Sequence, residues 1–475
     1  MGGAFVKSYL WHKTRAFSQT EKEVAAMEKG QKKGKWEFIK GAAWIAVGGF
    51  VAKLIGALYR IPLTNLIGGH GLGLYQMVYP VYCLLLTVSA TGIPSSIAKL
   101  TADRIGKGED DRAVFKASMR LFLIVGLCGA ALMAIVAPYL AKAQGSEEVL
   151  GGYYALAPSV FLVSAISVFR GWFQGKNRMF PTALSEITEQ LVKVGVGLLF
   201  AYLFRGNATK AVVFLLLSVS LSELVALLVM YVIYKRVPAP DKNKKQGGMV
   251  GAKSILKLSI PVTFSSILLP LSALLDSVLA PRLLGAYATD AVALYGLFAG
   301  GAVTVINLPV SVCYGIAAAS VPAVARAAAR RAKGDSPKKR IFFSLLITVA
   351  VALPSAIGLY FFAEPAAKII FRSLTEEELV VLTKLIKTFS ISALSLSLVQ
   401  TLSACLTAQG KPQYGALAML IGVTVKTLLY GVWLKNPETS IYGLAYATNI
   451  CYFIVMGLNF IFNIVVSRKK KKASG

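Results

Sequence analysis

Three lysines stand near the middle of long apolar segments: Lys53, Lys193 and Lys426. A lysine at the centre of a bilayer costs about 2.5–3.5 kcal/mol on insertion scales. A chain keeps one where the ammonium faces a polar cavity, finds a partner or binds something, and a buried ammonium is a point charge suited to phosphate. Other charges accompany them. Arg60 follows Lys53 by seven residues and so shares its helical face. Glu186 and Glu189 precede Lys193 by seven and four residues. Glu223 sits in mid-segment, and Asp276 lies towards the end of another segment with Arg282 after it. Each admits two readings. Glu189 and Lys193 have the spacing of a helical ion pair and equally that of a proton- or cation-linked switch. Arg60 faces the cavity or snorkels to headgroups. Lys426, with no acid in its own segment, binds substrate or is packed between helices. Glu223 can pair with any of the lysines. Asp276 and Arg282 form an outer gate or an interfacial pair. The deep amides Asn307, Gln400 and Asn449 suit interhelical hydrogen bonding.

The elements that carry these residues are membrane spans. Of 475 residues 56% are hydrophobic and 15% charged, which excludes a soluble enzyme of this size. Apolar runs of about 20 residues recur along the chain. They predict an all-α polytopic protein with about twelve spans: Gly41–Asn65, Tyr75–Ala98, Ser118–Leu140, Gly151–Phe169, Thr182–Phe204, Ala211–Tyr234, Ile255–Ala280, Ala291–Ala318, Ile341–Phe362, Phe389–Ala408, Tyr414–Leu434 and Ile441–Val466. At ~1.5 Å per residue the three lysines lie roughly 16–18 Å from the same face of a ~30 Å core.

A formal charge of +29 raises the question of nucleic acid, and its distribution answers it. Of 51 Lys and Arg, 38 fall in the two tails and the even-numbered connections and 10 in the odd-numbered ones. That asymmetry predicts a multi-pass protein of the plasma membrane with both termini in the cytoplasm, its basic loops facing anionic lipid rather than nucleic acid. The five cysteines fall within spans and suggest no disulfide framework. No metal-ligand cluster, no phosphate-binding G-x-x-x-x-G-K-[ST] loop and no nucleophile–base–acid set is present. A non-enzymatic protein without cofactor is expected, driven by a coupling ion (proton or sodium) or the membrane potential.

An internal repeat organises the spans. Ile67-Gly68 matches Leu284-Gly285, Leu74-Tyr75 matches Leu294-Tyr295, Gly92-Ile93 matches Gly315-Ile316, and Gln174-Gly175-Lys176 matches Gln409-Gly410-Lys411. Lys193 and Lys426 follow the last pair by 17 and 15 residues and are pseudo-equivalent. The expected organisation is a basic cytoplasmic tail (1–40), a six-helix half (41–234), a Pro- and Lys-rich linker (235–254), a second six-helix half (255–467) and a basic tail (468–475). Because each half has an even number of spans, the repeats are parallel, enclose a central cavity and can rock about it.

Three stretches carry a family resemblance: Ala52-Lys-Leu-Ile-Gly-Ala-Leu-Tyr-Arg-Ile-Pro-Leu-Thr-Asn-Leu-Ile-Gly68 with Gly73-Leu-Tyr-Gln after it, Thr91-Gly-Ile-Pro-Ser-Ser-Ile-Ala-Lys99, and Phe169-Arg-Gly-Trp-Phe-Gln-Gly-Lys-Asn-Arg-Met-Phe-Pro-Thr182. The chain resembles the stage V sporulation protein B and lipid II flippase branch of the multidrug/oligosaccharidyl-lipid/polysaccharide exporter (MATE/MOP-like) superfamily. The resemblance implies flipping of a polyprenyl-pyrophosphate-linked saccharide, a cell-wall, capsule or spore-envelope precursor, with basic residues holding the pyrophosphate. Lys53 carries over onto the family's first-helix motif. Tyr59 and Arg60 stand where lipid II flippases tend to carry further charges, and the two extra spans usual in them have no counterpart after Val466. Other lipid-linked oligosaccharides therefore fit as well. Two further readings stay open: a cation-coupled multidrug antiporter using Glu186, Glu189 and Glu223, and a non-transporting scaffold for envelope assembly.

Overall fold

The computed structural model describes residues 55–56, 58–88, 92–238, 251–252, 254–256, 259, 263, 266–329 and 337–468. Among these the chain is almost wholly helical, without strands. Residues 58–86 are helical on either side of Gly68, whose φ of 68° is left-handed. Arg60 and Tyr79 line the same cavity, although nineteen residues of straight helix would hold them ~28 Å apart. The chain therefore reverses at Gly68, where glycine takes the left-handed conformation without the strain of a Cβ. We label the two arms α1 (58–67) and α2 (69–86).

There follow α3 (Ile93–Gly106), α4 (Arg112–Gln144), α5 (Leu150–Gly175), α6 (Phe180–Leu203) and α7 (Ala208–Lys235), then α8 (Leu268–Leu284) and α9 (Ala291–Gly296). A π-helical turn, Leu297–Ala302, joins α9 to α10 (Val303–Ala329). The remainder is α11 (Pro337–Phe361), α12 (Ala363–Ile370), α13 (Glu376–Phe389), α14 (Ile391–Ala408), α15 (Pro412–Trp433) and α16 (Tyr442–Arg468).

Eight of the described helical segments are long and apolar enough to cross a membrane. Helix α6 has the length but carries Glu186, Glu189 and Lys193 along it, and is not among the eight. The first expected span lies mostly outside the described residues, as does the first part of the seventh. One expectation is corrected. Residues 363–388, taken as a connection, form α12 and α13. The capping box of Thr375 and Glu378 starts α13, and its apolar stripe of Leu379, Leu382, Leu385 and Ile386 is buried.

Packing repeats along the chain. In the first part α4 packs on α5, α6 on α7, α5 on α7 and α3 on α5. In the second, α11 packs on α14, α15 on α16, α14 on α16 and α10 on α14. The fold is thus two parallel helical repeats of one pattern. Exposed Leu127 and Ile135 on α4, Phe342 and Leu346 on α11, and Leu428 and Val432 on α15 cover the periphery with apolar side chains, as lipid contact requires.

The two ends of the bundle differ. Around Gly68 one core runs through both repeats, from Leu63, Ile67, Leu74 and Tyr153 to Leu284, Phe371, Leu434 and Leu444. At the opposite end the cores are separate: Phe115, Phe169 and Trp172 with Ile255 on one side, and Val324, Ile341 and Cys405 on the other. A fold with one continuous core at one end and separate cores at the other leaves a cavity between the repeats.

Candidate functional site

The cavity has two contiguous lobes that share Arg60, Gln76, Tyr79 and Asn307. The first, of about 340 Å³, lies against α1, α2 and α6 and is lined by Tyr59, Tyr75, Gln190 and Lys193 among others. The second, of about 520 Å³, reaches α8, α14 and α15 and is lined by Asp276, Gln400 and Lys426. Gln76 spans the repeats by donating to the Ala299 carbonyl (2.8 Å). That carbonyl lies in the π-helical turn, where the altered hydrogen-bond register frees backbone groups for outside partners.

In the first lobe Arg60 donates from Nη1 to Thr304 Oγ1 at 2.8 Å. Its guanidinium faces the cavity, which settles the choice between cavity and headgroups. Lys193 faces the same lobe, and neither cation makes an ion pair with a described residue. The expected Glu189–Lys193 pair does not form. Arg170, counted from sequence among the surface cations of a connection, is drawn into the bundle instead. Its Nη2 meets Glu189 Oε2 at 3.0 Å and its Nε donates to Ser185 at 2.9 Å. Glu186 and Glu223 lie close enough to add to the field at Arg170. Glu223 is 2% exposed, accepts from Tyr82 at 3.2 Å and has no partner for Oε2 among the described residues. The acids near Lys193 are thus held behind the wall, and no carboxylate lines this lobe.

In the second lobe Lys426, itself 2% exposed, meets both oxygens of Asp276 at 2.8 Å and Ser272 Oγ at 2.6 Å. Tyr430 donates to Asp276 at 2.6 Å. Two expectations are corrected: Lys426 is paired, its acid coming from α8 rather than its own helix, and Asp276 is its partner rather than that of Arg282. Arg282 is exposed at the end of α8 and lines neither lobe. Lys53 lies outside the described residues. Lys193 and Lys426 occupy matching helices of the two repeats but different lobes.

The repeat offset explains the difference. Applying the spacing of Ile67-Gly68 to Leu284-Gly285, Asp276 stands where the first repeat has Tyr59, beside Arg60. In the second repeat an acid neutralises the lysine. In the first, a tyrosine and an arginine occupy that place and the lysine is left as a second cation. The first lobe is therefore the cationic end of the cavity. Tyr75 stacks on Tyr79 there (centroids 5.0 Å apart), and the Tyr59 hydroxyl has no partner among the described residues. Sequence alone does not single out Arg170, Gln76, Thr304 or the tyrosines. The hydrogen-bond partners of Arg170, Gln76 and Thr304 lie 15 to 244 residues away, and an arginine at a span end reads as a surface cation.

Similarities to other proteins agree with this architecture. The chain is 26% identical to Stage V sporulation protein B of Bacillus subtilis (strain 168) over 425 residues, 87% of this chain and 81% of that one. It is 25% identical to Lipid II flippase MurJ of the same organism over 229 residues, 45% of this chain and 41% of that one. Among solved structures it resembles an inward-facing multidrug resistance MATE family transporter of the MOP superfamily (TM-score 0.72, 16% identity, 89% of this chain and 96% of that one). It also resembles Lipid II flippase MurJ in an inward closed conformation (TM-score 0.68, 15% identity, 88% and 87%). Residues 38–328, more than half of the sequence, match the polysaccharide biosynthesis protein family, and this chain, which has the fold of the MOP superfamily, belongs to that family.

Proposed function

We propose that this protein moves a lipid-linked, pyrophosphate-bearing saccharide across the plasma membrane by alternating access. The observation that carries the reading is the pair of cavity-lining cations, Arg60 and Lys193, which make no ion pair with a described residue. They take the pyrophosphate, with Lys53 of the first span expected from sequence as a further ligand. Tyr75 and Tyr79 offer ring faces and hydroxyls to the saccharide, and the larger second lobe receives the rest of the head group. Glu189 and Glu223, behind Lys193, are placed to take up or release a coupling ion as the repeats rock. The functional units in this reading are the two halves, 41–234 and 255–467, with the sealed end extracytoplasmic and both termini cytoplasmic, as the basic-residue asymmetry suggests. The name of one relative, a lipid II flippase, supports the substrate class.

The test is flipping of a fluorescent polyprenyl-pyrophosphate-linked saccharide in proteoliposomes. A hydrogen bond to a charged group contributes ~1.5–3 kcal/mol, so Arg60→Gln and Lys193→Gln are each expected to weaken head-group binding roughly 10- to 150-fold. Wild-type flipping by the Arg60→Gln/Lys193→Gln double variant would overturn the site.

A further inference from the structure

At the sealed end a histidine lies between two carboxylates that belong to different repeats. His70 follows the Gly68 reversal at the start of α2. Its Nε2 meets Glu148 Oε2 at 3.0 Å, in the short turn before α5. Its Nδ1 meets Asp290 Oδ2 at 2.9 Å, in the turn before α9 of the other repeat. Both acids are fixed. Thr209 Oγ1 donates to Glu148 at 2.8 Å, and Asp290 Oδ1 accepts from the Ala293 amide at 2.8 Å as the N-cap of α9.

A carboxylate only accepts hydrogen bonds, whereas a neutral imidazole has one donor nitrogen and one acceptor. Only the imidazolium, with two donors, satisfies both partners at once. A neutral ring turns a lone pair towards one carboxylate, and the bond that crosses between the repeats is one of the two at risk. The charged groups that face the ring are Glu148 and Asp290. Glu378 of α13 comes up against the neighbouring Gly69 but is tied into the capping box with Thr375. Burial pushes the His70 ring down, but the hydrogen bonds to Glu148 and Asp290 outweigh it and hold its pKa above the usual histidine range.

We propose that His70, Glu148 and Asp290 form a pH-sensitive latch that holds this end of the cavity closed when His70 is protonated. The inference rests on rocking of the repeats and is independent of what the cavity carries. The direction follows from linkage. A group whose pKa is raised in the latched state stabilises that state fully below the free imidazole value of about 6.5, and the contribution is lost as pH rises through the raised value. The ring and both acids are between a third and a half exposed, so the latch is a bias rather than a lock.

The experiment uses the full chain in lipid nanodiscs with the native cysteines replaced. Spin labels at Arg205→Cys and Glu438→Cys, both exposed in sealed-end connections, report the separation of the repeats by double electron–electron resonance. Between about pH 6 and pH 9 the ratio of short to long distances is expected to fall about two- to tenfold. His70→Gln is expected to abolish that response. Asp290→Asn, which removes the charge but keeps a good N-cap, is expected to flatten it. A wild-type distribution unchanged with pH, or a His70→Gln variant that keeps the response, would overturn the latch.

Discussion

Gly73→Ala tests the seal itself. Gly73 on α2 and Gly296 on α9 bring the backbones of the two repeats together without side chains between them. A Cβ on Gly73 would fall inside the van der Waals surface of the Val292 carbonyl oxygen, 2.7 Å from the Val292 carbonyl carbon and 2.8 Å from its Cγ1. A Cβ on Gly296 would meet the Gly73 amide nitrogen at 2.5 Å and its Cα at 2.9 Å. Carbon–carbon contacts settle at ~3.5–4.0 Å, so relief needs a separation of about 1 Å along this seam. Backbone cannot yield as a flexible side chain would. Overpacking of this kind costs ~1–3 kcal/mol, and here the cost falls only on the sealed state, because the contact disappears when the repeats part. The sealed-to-open ratio is then expected to fall roughly 5- to 150-fold. Accessibility of an Asn307→Cys thiol to a membrane-impermeant reagent added from the sealed side reads this directly. Gly206→Ala and Gly431→Ala are controls, since an added Cβ meets nothing at either position. Unchanged labelling of the Gly73→Ala protein, with the controls also silent, would refute the account of the seal.

Two further outcomes follow from the ion pairs. Asp276→Ala strands the buried Lys426 ammonium and is expected to cost ~3–5 kcal/mol, read as a lowered thermal midpoint in detergent; Asp276→Ala/Lys426→Met, which removes both charges, should recover much of it. Arg170→Gln removes the partner that draws Glu189 away from Lys193, leaving that carboxylate four residues from the lysine on the same helix face. Head-group binding is expected to weaken several-fold although Arg170 lines neither lobe, and a binding assay that finds wild-type affinity would show that Lys193 is not kept free by this arrangement.

The amino-acid sequence by itself determined the membrane class, most span positions and the repeat. These are properties of local composition and period: twenty apolar residues span a bilayer whatever surrounds them. It also placed a connection between Asn65 and Tyr75, the stretch in which the structure has its left-handed reversal at Gly68. What it left undecided was which charge meets which. Lys426 looks unpaired along its own helix, and Lys193 looks paired with Glu189, because helical spacing sees neighbours only three or four residues away. Tertiary packing reverses both readings. Helix α8 brings Asp276 to Lys426 across 150 residues, and α5 brings Arg170 to Glu189. Lys193 and Arg60 are left as the cavity-lining cations without an ion pair among the described residues. His70 shows the same limit: nothing beside it in sequence distinguishes it, and its two acids lie 78 and 220 residues away. Local physics places a charge at a depth and on a face. Only the packing of helices distant in sequence decides whether that charge is neutralised within the wall or left facing the space between the repeats.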